Sequence, residues 1–337
     1  MLEEAIQALA LHDDGIYLDG TAGAGGHSAA IVDQLGDQGR LIAIDRDPSA
    51  VATVKTRFAA DERVEVIHSP FSKMAAVVEG LGLVGRINGI LLDLGVSSMQ
   101  LDQPDRGFSF MRSGSLDMRM DTANGVTLAD WLAEVDEERL IRVLREYGEE
   151  RFARKIARAI LERHREQPLT TTGELAELVA ESIPHHPRDK HPATRTFQAL
   201  RIAVNDELGE LQRMLAQAIG LLAPGGRLVV LSFHSLEDRM VKQFIQKFSQ
   251  TGLDLPLDLP VVDRVMSAPL KRVRVGKKPG RVEVRSNPRS RSVIMRVAER
   301  TESVFDAADQ RWTDSGKTSD RQDSNAGQNL AVAGCLA

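Results

Sequence analysis

The chain has 337 residues, with 42% hydrophobic residues and 43 Lys and Arg against 48 Asp and Glu, a net charge of −5. That length is enough for one large or two ordinary domains with a sizeable core. The chain lacks an apolar run near the ~18 residues that a membrane span needs. Its N-terminus is acidic where a signal peptide is basic, and its one cysteine, Cys335, has no intrachain partner. These features exclude a membrane protein and predict a cytoplasmic one.

Strands and helices alternate along the first hundred residues. Strands are predicted at 16–19, 40–45, 64–68 and 87–93, and helices at about 28–35 and 48–60. The fourth strand is an almost unbroken apolar run, as expected for a strand covered on both faces of a parallel sheet. This alternation predicts a doubly wound, Rossmann-like α/β domain.

The alternation then stops, and the next hundred residues have helical patterns without an evident strand. Helices are predicted at 128–132, 137–166 and 174–182, followed by a helix at 206–222, a turn at 223–226 and a strand at 227–233. The helical block is therefore an insertion in one α/β domain. We expect a discontinuous core of residues 1–102 and 205–300 and an all-helical domain at 103–204.

The C-terminal part of the chain is predicted to contain a closing hairpin, with strands at 281–285 and 292–298. Residues 264–300 carry twelve Lys and Arg against two Glu. Such a density is typical of a polyanion-binding surface, although a solvent-exposed strand pair could carry several of these charges. Residues 301–337 lack periodicity and are rich in polar residues, which predicts a disordered tail.

A glycine-rich motif, residues 19–27, follows the first strand and opens the first helix, where backbone N–H groups can approach a ligand. Asp45 ends the next strand and could accept hydrogen bonds from ribose hydroxyls. The alternative is a plain turn, with Asp45 capping the helix that begins near Pro48. Asp19 favours S-adenosylmethionine over a dinucleotide, because a carboxylate there would repel a pyrophosphate.

Polar residues at the ends of later strands are the candidates for chemistry. Asp93 ends the fourth strand, at the edge of the sheet where ligands of open α/β folds bind, and Ser97 and Ser98 follow it. His234 follows the fifth strand and could position a substrate or tune a proton. Ser235, three residues before Asp238, is predicted to cap the next helix.

Two further sets of residues leave alternatives open. Phe71, after the third strand, could cover an adenine or pack in the core. Thr194, Phe197 and Arg201 share one face of a predicted helix, which suits a nucleotide or, equally, a seam between domains with an ion pair. The arginines of 139–158 alternate with Glu, which is typical of a solvated face.

Seven motifs closely resemble the bacterial RsmH (formerly MraW) family of ribosomal small-subunit RNA cytosine-N4 methyltransferases. They are 19–27 (DGTAGAGGH), 43–48 (AIDRDP), 91–98 (LLDLGVSS), 105–110 (DRGFSF), 116–120 (LDMRM), 191–198 (HPATRTFQ) and 232–238 (SFHSLED). The resemblance covers nearly all of residues 2–300 in order, which makes it more specific than an isolated glycine motif.

The resemblance implies a class I S-adenosylmethionine-dependent methyltransferase with an inserted helical domain, which methylates a cytidine in the decoding region of 16S rRNA on the 30S subunit. It implies cofactor contacts by Gly25, Gly26, His27, Asp45, Phe71, Asp93 and Gln100. Family members usually begin with a further short segment, so we expect a truncated or shortened start here.

For catalysis, the residues expected to line the site are Asp93, Ser97, Ser98 and His234. No Cys/His cluster suggests a metal, and none is expected. A homodimer is one alternative for the oligomeric state. A methyltransferase for DNA or a small molecule, and a non-catalytic ribosome-binding protein, are the competing functions; the basic stretch argues against a small-molecule substrate.

Overall fold

The computed structural model describes residues 1–183, 191–250, 268–276, 278–303 and 305. The predicted tail, apart from its first few residues, lies outside the described residues, as do Arg264 and Lys277 of the basic stretch. Among the described residues, no helix is long and apolar enough to cross a bilayer.

The strands are β1 Ile16–Asp19, β2 Arg40–Asp45, β3 Val64–His68, β4 Ile87–Asp93, β5 Leu222–Ser232, β6 Leu270–Val273 and β7 Ile294–Arg300. The helices are α1 Leu2–Leu9, α2 Gly26–Val32, α3 Pro48–Arg57, α4 Met74–Gly80, α5 Ser98–Asp102, α6 Leu128–Glu134, α7 Glu137–Glu146, α8 Ala153–Glu166, α9 Thr172–Glu181, α10 Thr194–Asn205, α11 Glu207–Leu221, α12 Ser235–Phe248 and α13 Arg281–Ser286. Short 3-10 turns occupy Phe71–Lys73, Pro104–Arg106 and Pro288–Ser292.

The seven strands form one sheet in the order β3-β2-β1-β4-β5-β7-β6. The first five are parallel, and β7 runs antiparallel between β5 and β6. This confirms the predicted α/β, Rossmann-like fold. The strand order reverses between β1 and β4, and in open α/β sheets the crevice at such a reversal is where ligands bind.

Strand β4 shows why the parallel sheet needs helices on both faces. Ile90 and Leu92 pack in a cluster with α4, α11 and α12, whereas Leu91 packs in a second cluster with α1 and α2. All three side chains are fully buried. The apolar run of β4 therefore supplies core to both layers, and its polar end, Asp93, is left at the edge of the sheet.

Helices α6 to α10 pack around a core of their own, which includes Trp131, Leu144, Ile156 and Phe197. Between α5 and α11 the described residues contain helices, turns and one isolated bridge, Ser115 to Thr171. The described residues of the predicted insertion are thus helical, and the division into a core and an inserted domain stays a prediction.

The single helix predicted at 137–166 is wrong, because the chain turns between α7 and α8. Glu149 has a left-handed backbone, with φ of 49°. A Cβ on Gly148 would lie 2.7 Å from the carbonyl oxygen of Arg195 in α10, so the turn lets α10 pass close to the chain. The apolar spacing continues across this turn, and for that reason the sequence pattern did not reveal it.

The hairpin predicted at 281–298 is also wrong in its first strand. Residues 281–286 form α13, and β7 pairs with β5 and β6 instead. Strands β5 and β6 pair with the two edges of β7. Residues 281–285, whose charged and apolar side chains alternate, therefore have no edge of β7 to pair with. The turn predicted at 223–226 lies inside β5, where the pairing with β4 shifts register.

Candidate functional site

A cavity of about 330 Å³ lies at the carboxyl ends of β1, β2 and β4. Of the predicted site residues, its lining includes Gly26, His27, Asp45, Phe71, Asp93, Ser97, Ser98 and Gln100. The structure therefore brings together residues from three of the seven motifs, with Phe71 and Gln100 from outside them. Gly25 and His234 are not in the lining.

The backbone turn before α2 explains why residue 25 is a glycine. Gly25 precedes the first residue of α2 with φ of 78°, a conformation that favours glycine. A Cβ there would lie 3.3 Å from Arg57 Cδ and 3.4 Å from Val54 Cγ2, both on α3. Gly25 thus allows the turn and its close packing on α3, while Gly23 and Gly26 face the cavity.

Asp45 is fixed by two backbone donors. The N–H of Gly23 donates to its Oδ2 at 2.7 Å, and the N–H of Asp47 donates to its Oδ1 at 2.8 Å. Burial raises the pKa of this carboxyl, and the two hydrogen bonds oppose the rise. The alternative in which Asp45 caps α3 is wrong, because Asp47 accepts from the N–H of Ser49 and is the cap. A carboxylate has further lone pairs for a ligand.

His27 and two carboxylates form a cluster between β1 and β4. Asp19 is fully buried and accepts from Ser28 Oγ at 2.7 Å. His27 Nδ1 lies 3.5 Å from Asp93 Oδ2, and its buried Nε2 has no hydrogen-bond partner. Burial raises the pKa of Asp19 and lowers the pKa of His27, although each of these two groups opposes the other's shift.

Asp93 is the most perturbed carboxyl of the site. Burial raises its pKa to about 7, and the nearby Glu237 carboxylate adds to the rise. The side chain nevertheless keeps 32% of its surface exposed and lines the cavity, so a ligand could reach it. A group with a pKa near neutrality at a ligand-binding edge is suited to accept a proton or a hydrogen bond from a substrate.

The loop after β2 is tied to α5 by buried polar groups. The Ser97 hydroxyl accepts from Gln100 N–H, and Gln100 Oε1 accepts from Ser97 N–H at 2.9 Å, which forms a capping box. Gln100 Nε2 donates to Asp47 Oδ2 at 2.8 Å. Ser97 and Gln100 therefore shape the cavity wall through these bonds.

Both ends of the helical block contact the loop after β2. Arg106 Nη2 lies 2.8 Å from Asp47 Oδ2, with both side chains buried or nearly so. At the other end, Arg46 Nη1 donates to the carbonyl oxygen of Asn205 at 2.8 Å. The residues next to Asp45 thus hold the start and the end of the block.

Replacing Arg106 with methionine should lower the free energy of unfolding by about 3–5 kcal/mol, because it leaves Asp47 buried without its charged partner. Burial alone would raise the pKa of Asp47, but bonds from Ser49, Arg106 and Gln100 lower it below its ordinary value. The loss should therefore be full above about pH 4 and shrink as pH falls below it. Urea unfolding at pH 7 and pH 3.5 measures both effects.

The matched control is Arg63→Met. Arg63 pairs with Asp61 at 2.7 Å and also donates to the carbonyl oxygen of Leu35, and both side chains of the pair are partly exposed. Pairs that water can reach contribute much less than buried ones. Equal losses for the two variants would show that the Asp47 contact stabilises no more than a surface pair.

His234 serves as the cap of α12 and is not part of the cavity. Its Nδ1 accepts from the N–H of Glu237 at 3.4 Å, and its Nε2 lies 3.1 Å from Glu237 Oε1. The structure thus places His234 beside the cavity and not in its lining, and a role for it in catalysis stays a prediction. Ser235 is the first residue of the helix and not its cap, and Asp238 pairs with Arg296 at 2.6 Å.

Among the described residues, Glu207, His234 and Glu237 have the spacing of metal ligands. Their groups already have partners: Arg201 donates to both oxygens of Glu207, at 2.7 and 2.8 Å, and His234 faces Glu237. A metal ion would have to displace these contacts. The expectation of no metal stays a prediction.

The predicted face of α10 makes internal contacts. Phe197 packs edge-on against Phe110, with ring centroids 4.8 Å apart, and Arg201 is paired with Glu207 of α11. Of the two alternatives for this face, these contacts favour the seam over a nucleotide site.

Several cavity residues were not singled out from the sequence. Glu207, Glu210 and Glu237 approach from α11 and α12, and Asn287 and Arg289 approach from the turn before β7. Their spacing carries no local signal, since they meet the cavity only through the packing of distant elements. The basic stretch was the one available hint for Arg289.

The family model of the MraW methylase family matches residues 1–301. A curated relative, the ribosomal RNA small subunit methyltransferase H of Thioalkalivibrio sulfidiphilus (strain HL-EbGR7), is 56% identical over 301 residues, which are 89% of this chain and 96% of the relative.

Solved structures also align with most of the chain. An rRNA methylase from Streptococcus thermophilus is 12% identical with a TM-score of 0.36, and the alignment covers 89% of this chain and 94% of that one. A 1,6-didemethyltoxoflavin-N1-methyltransferase from Burkholderia thailandensis, solved with S-adenosylhomocysteine, is 13% identical with a TM-score of 0.37, covering 89% and 78%.

Proposed function

The chain belongs to the MraW methylase family, and from that premise we propose that it methylates N4 of a cytidine in the decoding region of 16S rRNA. At the coarser level it is a ribosomal RNA methyltransferase whose cofactor is S-adenosylmethionine. The finer assignment adds that it acts in the cytoplasm on the 30S subunit, alone or as a homodimer.

The chemistry of the cavity fits this cofactor. Asp45 offers carboxylate oxygens at a position suited to ribose hydroxyls, and His27 Nε2 is a buried polar atom without a partner. Six carboxylates line the cavity: Asp45, Asp47, Asp93, Glu207, Glu210 and Glu237. Arginines pair with Asp47, Glu207 and Glu210, so the negative charge of the lining comes mainly from Asp45, Asp93 and Glu237, and it favours a cationic ligand. When bound, S-adenosylmethionine supplies a methyl group on a positively charged sulfonium.

Asp93 is the group we assign to the acceptor amine. The exocyclic nitrogen of cytosine is a poor nucleophile because its lone pair is conjugated with the ring, so positioning and hydrogen-bond acceptance contribute strongly to the rate. In its ionised form, Asp93 would accept a hydrogen bond from that amine and take up its proton, while the methyl group would pass to the nitrogen and leave the sulfonium as a neutral thioether. Its pKa of about 7 matches this task at neutral pH.

The observation that favours RNA over a small molecule is the charge of the C-terminal segment. Of the described cations of this segment, Lys271, Arg272, Arg274, Lys278, Arg285, Arg289 and Arg291 are exposed. Arg296 is used internally, paired with Asp238. We assign this surface and the helical block at 103–204 to RNA recognition, with residues 1–102 and 205–300 as the methyltransferase core.

Radiolabelled methyl transfer to small ribosomal subunits tests the proposal, with subunits taken from cells that lack this gene. We expect label in N4-methylcytidine after digestion to nucleosides. Label in another nucleoside would refute the N4-cytidine assignment, and label in DNA or in a small molecule alone would refute the RNA substrate. No label despite cofactor binding would refute the activity on this particle.

A further inference from the structure

Arg289 lies at the mouth of the cavity and belongs to the 3-10 turn Pro288–Ser292. Its Nη1 donates to Ser98 Oγ at 2.8 Å, and its Nη2 donates to Asp102 Oδ1 at 2.7 Å. Both acceptors belong to α5, the helix that follows β4 and Asp93. The basic C-terminal segment therefore reaches the rim beside the carboxylate that we assign to the acceptor amine.

Arg289 is a cation in a cavity whose charged lining residues are mostly acidic. Its lining contains six carboxylates and two arginines, Arg46 and Arg289. Arg46 is committed to the carbonyl oxygen of Asn205, and its buried Nε faces no acceptor. An RNA strand that brings a base to Asp93 carries phosphates toward this acidic region, which repels them. Arg289 is the exposed cation of the lining that can offset the repulsion.

The partner of Arg289 is easily replaced. The Arg289 and Asp102 side chains are 48% and 64% exposed, and ion pairs as exposed as this one contribute little to stability, because water screens them. A guanidinium binds phosphate with the same planar fork that it presents to a carboxylate. Asp102 thus occupies the place at the guanidinium that a phosphate oxygen could take.

We propose that Arg289 binds an RNA phosphate next to the target nucleotide, and that Asp102 competes with this phosphate in the free protein. This rests on the proposed function, because it assumes an RNA substrate. Ser98 keeps its contact with Nη1 and holds the guanidinium at the rim during the exchange. Arg289 is on this view a substrate-binding residue, and Asp102 a residue that restrains binding.

The test compares single variants by their affinity for small ribosomal subunits from cells lacking this gene, measured with S-adenosylhomocysteine present. Arg289→Gln should weaken binding about tenfold or more, because a charge-assisted bond is lost. It should lower the slope of log affinity against log salt by about 0.7, the value for one single-strand phosphate contact. Asp102→Asn should strengthen binding about two- to fivefold.

The opposite signs separate the proposal from a structural brace. If the pair only braced α5, both variants would weaken binding together, and that result would overturn the inference, as would an unchanged affinity in Asp102→Asn. Arg291→Gln, on the same exposed turn, is the matched control and should weaken binding less than Arg289→Gln. The affinity for S-adenosylhomocysteine should be unchanged in both test variants.

Failure of the proposed function gives a different result. If the unaltered protein bound subunits but transferred no methyl group, the activity would be refuted while the binding comparison still decided the role of Arg289. If it transferred methyl groups normally and the two variants bound like the unaltered protein, only the present inference would be refuted.

Discussion

Replacement of Asp93 by asparagine is expected to slow methyl transfer by about 10²- to 10⁴-fold, the usual contribution of a positioned acid or base. The amide keeps the size of the side chain but cannot take up the proton of the amine. Single-turnover rates at saturating cofactor and subunits measure the effect. The control is Asp61→Asn, because Asp61 pairs with Arg63 at a partly exposed position outside the cavity lining.

The pH dependence gives the same prediction a second measurement. Since burial raises the pKa of Asp93 to about 7, the ionised form is lost as pH falls through 7, and the single-turnover rate should fall with it. The N-terminal ammonium, His27, Asp19 and Glu237 interact with this carboxyl and will move the midpoint. The Asn variant should lack this acidic limb of the pH–rate profile. A variant rate within tenfold of the unaltered protein, with the limb retained, would exclude Asp93 from proton transfer.

The raised pKa of Asp93 also predicts that Asp93→Asn, which should lower the rate of methyl transfer, should raise the stability of the fold. The fold favours protonated Asp93, so its stabilising contribution is present below the ordinary pKa of ~4 and is lost as pH rises through about 7. At pH 8, without cofactor, Asp93→Asn should therefore unfold at a higher temperature than the unaltered protein. A loss of activity together with a gain of stability would identify a residue retained for function.

Replacement of Asp45 by alanine is expected to weaken the binding of S-adenosylhomocysteine by about 100-fold or more. Two hydrogen bonds from ribose hydroxyls to a carboxylate contribute about 1.5 kcal/mol or more each, and 1.4 kcal/mol corresponds to tenfold. The variant also removes the acceptor for Gly23 N–H and Asp47 N–H, which fixes the loop. Calorimetric titration measures the affinity.

Asp45→Asn separates the two contributions, because the amide oxygen can still accept from one of the backbone donors. We expect it to bind more weakly than the unaltered protein and more tightly than Asp45→Ala. Unchanged affinity in Asp45→Ala would remove the assignment of this carboxylate to the ribose, whatever the rate of methyl transfer.

The sequence predicted those parts of the fold that depend on local pattern. The strands β1 to β4 follow from short apolar runs, and the cavity follows from the rule that polar strand ends such as Asp45 and Asp93 meet at one edge. The turn near Gly148 and the helix at 281–286 were missed, because close packing on α10 and the occupied edges of β7 decide them. The sequence did not reveal that His234 caps α12, since a capping histidine and a site histidine look alike in sequence.

The contacts that the loop after β2 makes with both ends of the helical block have a thermodynamic consequence. Asp45 faces the cavity, while its neighbours Arg46 and Asp47 hold Asn205 and Arg106. A ligand that orders this loop also changes the free energy of the block, and the two binding equilibria are then linked. Linkage is reciprocal, so if RNA binds to the block as we propose, RNA and the cofactor in the cavity would alter each other's affinity by the same factor.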